Sequence, residues 1–288
     1  MLGAFRGSKA TFGYDITMKI DNLGMHMNRS LAVFLQFLLR DTRIFLQRSK
    51  QRILNNGVIS PLLLAICFGY ILPYVALGDA AKTQSTAIFI GNIVWTMFPL
   101  AFFFMMDVLF DLEQERFIDY QMTMLSPRLV LFERILFAGL ANFVCMLPFF
   151  PIAKLVMQDQ FDISRACWLH VAVIMLVGAL FLTSFNLFTQ LLMKDSMKVD
   201  NLWLRCYYPL MVMGGGMFSW PVMNAFSPLL GKITLLNPFI YVTDGLREAI
   251  LGSGEYFSFM SSVIVLTGLW IVCTLLAFYL FRRRVDHI

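Results

Sequence analysis

Six apolar stretches, each carrying at most one charged residue, constrain this chain more than anything else in it. They run over 57–77, 86–110, 135–157, 166–193, 202–223 and 257–281, and their only Asp, Glu, Lys or Arg side chains are Asp107, Lys154 and Arg205. About 20 such residues cross a bilayer core as a helix. Backbone groups in hydrocarbon must bond within their own segment, so a helix is the form each stretch takes. Composition agrees: 59% of the 288 residues are hydrophobic and 14% charged, against about 45–50% and about 25% in a soluble domain. The expectation is an all-α membrane protein with six transmembrane helices. A cytoplasmic N-terminal region (1–56) precedes the membrane domain (57–281), and a short basic tail (282–288) follows it.

Charge placement sets orientation. With the N-terminus in the cytoplasm, seventeen Lys and Arg side chains fall on the cytoplasmic side, while Lys82, Lys154, Arg165, Lys232 and Arg247 fall outside. Both termini are therefore expected in the cytoplasm. The net charge of +5 comes from the ends of apolar segments, which argues against a nucleic-acid partner. The opening residues, MLGAFRGSKATFGYD, lack the apolar core of a cleaved signal, and the N-terminus is expected to be retained. Five cysteines (Cys67, Cys145, Cys167, Cys206 and Cys273) lie in or beside apolar segments without paired spacing, the pattern of membrane packing rather than of disulfides or metal ligands.

Two connections break the pattern of plain loops. Before span one, Leu31, Phe34, Leu35, Leu38, Phe45 and Leu46 recur at helical spacing opposite Gln36, Arg40, Arg43, Gln47 and Lys50. That predicts a basic amphipathic helix in the membrane interface, or a plain juxtamembrane anchor. Residues 224–256 are half apolar yet contain Pro228 and Pro238, which predicts an external re-entrant helical segment between spans five and six, or an external loop with a surface helix. Pro238 suits a first helical turn, with Asn237 capping it. Tyr241, Asp244 and Arg247 then share one helix face, with Asp244 and Arg247 as an ion pair.

Catalytic chemistry leaves little trace. The Gly231-Lys232 pair lacks the rest of a phosphate-binding loop, and three histidines (His26, His170 and His287) form no metal motif. His170 reads as a packing residue and Asp107 as a water-facing one. The chain is expected to be no enzyme and to bind no cofactor, so a driver must lie elsewhere. The loop 111–134 (DLEQERFIDYQMTMLSPRLVLFER) predicts a short helix, with apolar Met122, Met124 and Leu125, ended by a turn at Ser126-Pro127. Such a helix offers a knob to a partner, or merely connects two spans.

These features together resemble the ABC-2 type permeases, the membrane subunits of ATP-driven exporters. The amphipathic helix, the ER…LSP loop and the segment TLLNPFIYVTDGLREAILG fall in the family's order, although Phe117-Ile118 stand where the family often has Gly-Thr. The resemblance implies that the loop with Glu113, Glu115, Arg116, Leu125, Ser126 and Pro127 is a coupling helix docking on an ATPase. It also implies that Asn237, Pro238, Tyr241, Asp244 and Arg247 belong to the external re-entrant helices. The implied assembly is two identical permeases, meeting at spans two and five, with two copies of an ATPase that binds ATP and Mg. Its setting would be the bacterial inner membrane, and its cargo an amphiphilic or hydrophobic substrate such as a drug, lipid or lipid-linked glycan. Gly214, Gly215 and Gly216 in span five would then lie on the translocation path by allowing close helix approach or bending. An ion-coupled transporter and an assembly factor without an ATPase are the alternatives.

Overall fold

The structure, a computed structural model, describes residues 29–48, 50–75, 79–112, 117–193, 199–252 and 254–285, and among them there is no strand. The N-terminal helix α1 (Arg29–Arg48) leads into α2 (Lys50–Val75). α3 (Asp79–Gly91) and α4 (Ile93–Phe110) form the second span. After α5 (Phe117–Met124), the third span is α6 (Pro127–Met146) and α7 (Phe149–Met157), broken where Pro148 has no N–H to give the helix ladder. α8 (Trp168–Leu192) is the fourth span, and α9 covers 199–212. Three short helices follow: α10 (Trp220–Phe226), α11 (Pro228–Thr234) and α12 (Phe239–Leu251), and then α13 (Phe259–Val285).

Among the described residues, five helical stretches are long and apolar enough to cross a membrane: Lys50–Val75, Gln84–Phe110, Pro127–Met157, Trp168–Leu192 and Phe259–Arg284. They are the expected spans one, two, three, four and six. The fifth differs. Instead of one helix over 202–223, α9 stops at Val212 and the chain turns through 213–219. At 1.5 Å per residue the described part of α9 covers about 21 Å, less than the roughly 30 Å of hydrocarbon. The break is a backbone effect: Gly215 has φ +82, a left-handed conformation that side-chain-bearing residues adopt only with strain. The glycine run therefore bends the chain.

α8 is the axis of the bundle and packs against α4, α6, α12 and α13. Its polar side chains point inward, where they find partners that lipid cannot supply. Gln190 Nε2 donates to the Phe102 carbonyl at 3.1 Å, Ser184 shares a hydrogen bond with Thr274 at 3.0 Å, and Thr189 bonds the Tyr207 hydroxyl. These contacts tie α8 to α4, α13 and α9. By contrast, α2 and α13 present most of their apolar surface outward. α1 lies against α6 and α4 through Phe37, Asp41 and Phe45, buried at four-residue spacing, with the Phe45 ring 5.5 Å from that of Phe104. Its Leu31, Leu35 and Leu46 remain exposed, so the predicted apolar stripe is divided between protein and surroundings.

Candidate functional site

Two polar nodes stand at opposite ends of the second span, about 36 Å apart by helix rise over 87–111. The first is centred on Arg247 of α12. Asn237 lies just before that helix: its Oδ1 accepts from the Phe239 N–H at 3.0 Å, and its Nδ2 donates to the Leu210 carbonyl of α9 at 2.7 Å. One residue thus caps α12 and holds it to α9. Two turns on, the Arg247 guanidinium, 1% exposed, meets the fully buried Asp244 at 2.5 Å. Nε donates to the Ala87 carbonyl of α3 at 2.8 Å, and Nη2 to the Gly216 carbonyl at 3.0 Å. The second Asp244 oxygen accepts from the Trp220 N–H at 2.8 Å, and Thr243 Oγ1 donates to the Gly214 carbonyl at 3.0 Å.

The pair therefore holds in register the start of span two, the turn that follows α9, and α12. A buried pair gains its Coulomb attraction only when the remaining donors and acceptors are also satisfied. Here Arg247 finds two backbone carbonyls and Asp244 a backbone amide. Gly91 makes room for this: a Cβ there would stand 2.1 Å from Arg247 Nη2 and 2.5 Å from the Gly216 oxygen.

The second node is centred on Arg134 of α6. Its Nη1 lies 3.1 Å from Asp41 of α1, and its Nη2 lies 2.9 Å from Asp111 at the end of span two. Nη2 also donates to Gln121 of α5 at 2.9 Å. The other Asp111 oxygen accepts from the Phe117 N–H at 2.9 Å, which starts α5, and the Arg40 guanidinium sits 3.9 Å over the Phe117 ring. Four helices thus converge on one guanidinium. Beside it the fully buried Glu133 carboxylate lies 3.9 Å from Arg134. Arg40, Asp41, Asp111 and Arg134 line a cavity of about 260 Å³ shared by α1, α2, α4, α5 and α6, which Arg52 and Asp107, paired at 2.7 Å, also line.

Several predicted residues are placed by this geometry. Asn237, Asp244 and Arg247 come together with Gly214, Gly215 and Gly216, and Pro238 supplies the turn before α12. Tyr241 does not join the pair; its hydroxyl donates to the Leu235 carbonyl at 3.0 Å and its ring stacks on Phe257. In the loop between spans two and three, α5 and the break at Ser126-Pro127 match the expected helix and turn. Leu125, at 5% exposed, packs inward, and the apolar side chains that α5 presents outward are Tyr120 and Met124. Glu113, Glu115 and Arg116 lie outside the described residues. Asp107 is exposed and ion-paired, and His170 stacks on Phe259 with centroids 3.9 Å apart. Gly91, Thr243, Trp220, Asp41, Gln121 and Arg134 were not anticipated. Their roles depend on partners far along the chain, apart from Gln121, whose partner Arg134 lies only 13 residues on.

Against this geometry, residues 72–279 match the family model described as ABC-2 family transporter protein. No curated protein and no solved structure matches. The match covers most of the chain, which belongs to the ABC-2 family of transporter proteins and is a multi-pass membrane permease of that family.

Proposed function

We propose that this permease is the membrane half of an ATP-driven exporter, paired through α5 with a separate ATPase. The observation that carries the reading is the Arg134 node, because it joins α5 to α1, α4 and α6 by charged contacts. A helix so tied transmits a push from a soluble partner into the bundle; a slack connector would not. Exposed Tyr120 and Met124 are the docking contacts, with Glu113, Glu115, Arg116, Ser126 and Pro127 around them. In this reading the α5 end faces the cytoplasm, as the basic residues favour, and the Arg247 node lies toward the external face of the bacterial inner membrane. The ATPase binds ATP and Mg.

The pathway in this reading forms between two copies of the chain. α4 keeps Phe103 and Phe110 exposed and α9 keeps Leu204, Tyr208 and Val212 exposed, and the two helices meet where the Trp95 and Tyr208 rings lie 6.1 Å apart. A face of this kind, apolar and built from spans two and five, suits an isologous dimer and an amphiphilic or hydrophobic substrate. The glycine turn 214–216 sits at its end.

Two measurements test the proposal. The purified chain is expected to hydrolyse no ATP, whereas a complex recovered through it from native membranes should contain an ATPase and hydrolyse ATP; a transport-competent preparation free of any ATPase overturns it. Arg134→Ala is expected to leave the complex assembled while lowering substrate-stimulated hydrolysis several-fold. Arg134→Lys should restore only part, since a point charge cannot serve Asp41, Asp111 and Gln121 together. Unchanged stimulation in Arg134→Ala makes α5 a connector.

A further inference from the structure

We propose that the groove between the start of α6 and the end of α13 is a binding site for one anionic phospholipid, with its phosphate on Arg128 and Arg282 and an acyl chain along Leu275 and Phe278. The groove measures about 850 Å³, the size of a site for a substantial organic ligand. Its two arginines come from helices more than a hundred residues apart in sequence, and none of the described residues lining it is acidic. Below the arginines the wall is apolar, and Leu275 and Tyr279 are 60% and 59% exposed.

That division of chemistry selects the occupant. Guanidinium groups bind phosphate through paired, charge-assisted hydrogen bonds, and both arginines stand at the ends of membrane-spanning helices, the depth of lipid headgroups. A free phosphate would meet the arginines and leave the apolar wall uncovered; a two-part molecule covers both. The third arginine of the helix end, Arg283, lies 5.6 Å over the Tyr279 ring, so positive charge continues along the rim. Ser126 and Pro127, the break between α5 and α6, line the same groove, which places a bound headgroup against the hinge of α5. The site is a property of this chain by itself and does not depend on any ATPase.

Native mass spectrometry of the full chain, released from micelles containing equal phosphatidylglycerol and phosphatidylcholine, tests it. Wild type should retain phosphatidylglycerol preferentially. Arg128→Gln/Arg282→Gln should reduce that retention on the order of tenfold or more. Leu275→Trp, which keeps both charges and fills the groove, should reduce it as well. Arg43→Ala/Lys50→Ala, on the exposed basic face of α1 and the start of α2, should leave it unchanged. The proposal is overturned by equal retention of the two lipids, by wild-type retention in either groove variant, or by an equal loss in the Arg43/Lys50 variant. Displacement of phosphatidylglycerol by inorganic phosphate at comparable concentration would overturn it too, since that outcome describes a site for a soluble anion.

Discussion

Arg247→Ala is expected to cost about 3–5 kcal/mol of folding stability, the range for breaking a buried ion pair from one side. That is a large share of the roughly 5–15 kcal/mol that keeps a typical domain folded. The cost has three sources here. Asp244 loses its countercharge while remaining fully buried, and the Ala87 and Gly216 carbonyls lose their donors. In surroundings that admit little water, none of the three is readily resatisfied. Thermal unfolding of the purified protein should therefore shift sharply downward, with transport lost in parallel. Asp244→Ala/Arg247→Ala should be less damaged than the two single effects combined, because removing both partners leaves no orphaned charge. Arg247→Lys should fall between, since one ammonium cannot reach the carboxylate and both carbonyls. Strict additivity in the cycle removes the pair as the unit that holds α12, and an undamaged Arg247→Ala removes the node altogether.

The local half of this node is legible in the sequence because its spacing is short. Asn237 before Pro238, and Asp244 three residues before Arg247, are patterns that helical geometry interprets directly. The remote half is not. Carbonyls of Ala87, Gly214 and Gly216 accept the decisive hydrogen bonds, and a backbone acceptor leaves no signature in residue type. Thr243 and Trp220 are equally unremarkable until the fold brings them to Gly214 and Asp244.

Hydropathy does not reveal the break after Val212 for a related reason. It counts apolar side chains and is blind to φ, so 202–223 scores as a crossing although Gly215 turns the chain. The glycine triplet carried the information, and bending was one of the two uses expected of it. At the other end of the molecule the short helix and its Ser-Pro break follow from punctuation residues, but Leu125 shows the limit of composition. An apolar residue on a short loop helix serves a partner or the chain's own core with equal economy, and here it faces the core. Asp41 and Arg134 mislead in the opposite sense. A charged residue near the membrane is read by default as solvated, yet the side chain of Asp41 is only 7% exposed against Arg134.

Gly91→Ala is expected to be nearly as damaging as Arg247→Ala, although it adds one methyl group to a helix that alanine would ordinarily stabilise by about 1 kcal/mol. The added Cβ would meet Arg247 Nη2 at 2.1 Å and the Gly216 oxygen at 2.5 Å. One obstacle is a guanidinium fixed by Asp244, Ala87 and Gly216, and the other is backbone, so neither yields cheaply. Either the guanidinium leaves its partners or α3 moves off the glycine turn. Gly268→Ala on α13 is the internal control, because nothing lies within 4 Å of the Cβ it would add. Its thermal unfolding should match or slightly exceed wild type. The mechanism is separable from a general intolerance of α3 by combining Gly91→Ala with Arg247→Ala. Once the guanidinium is gone, the methyl group has only the Gly216 carbonyl to contend with, so its cost in that background should fall well below its cost in wild type. A Gly91→Ala penalty of the same size with and without Arg247 would mean that the glycine serves the backbone of the turn alone, and that Arg247 and Gly91 act independently.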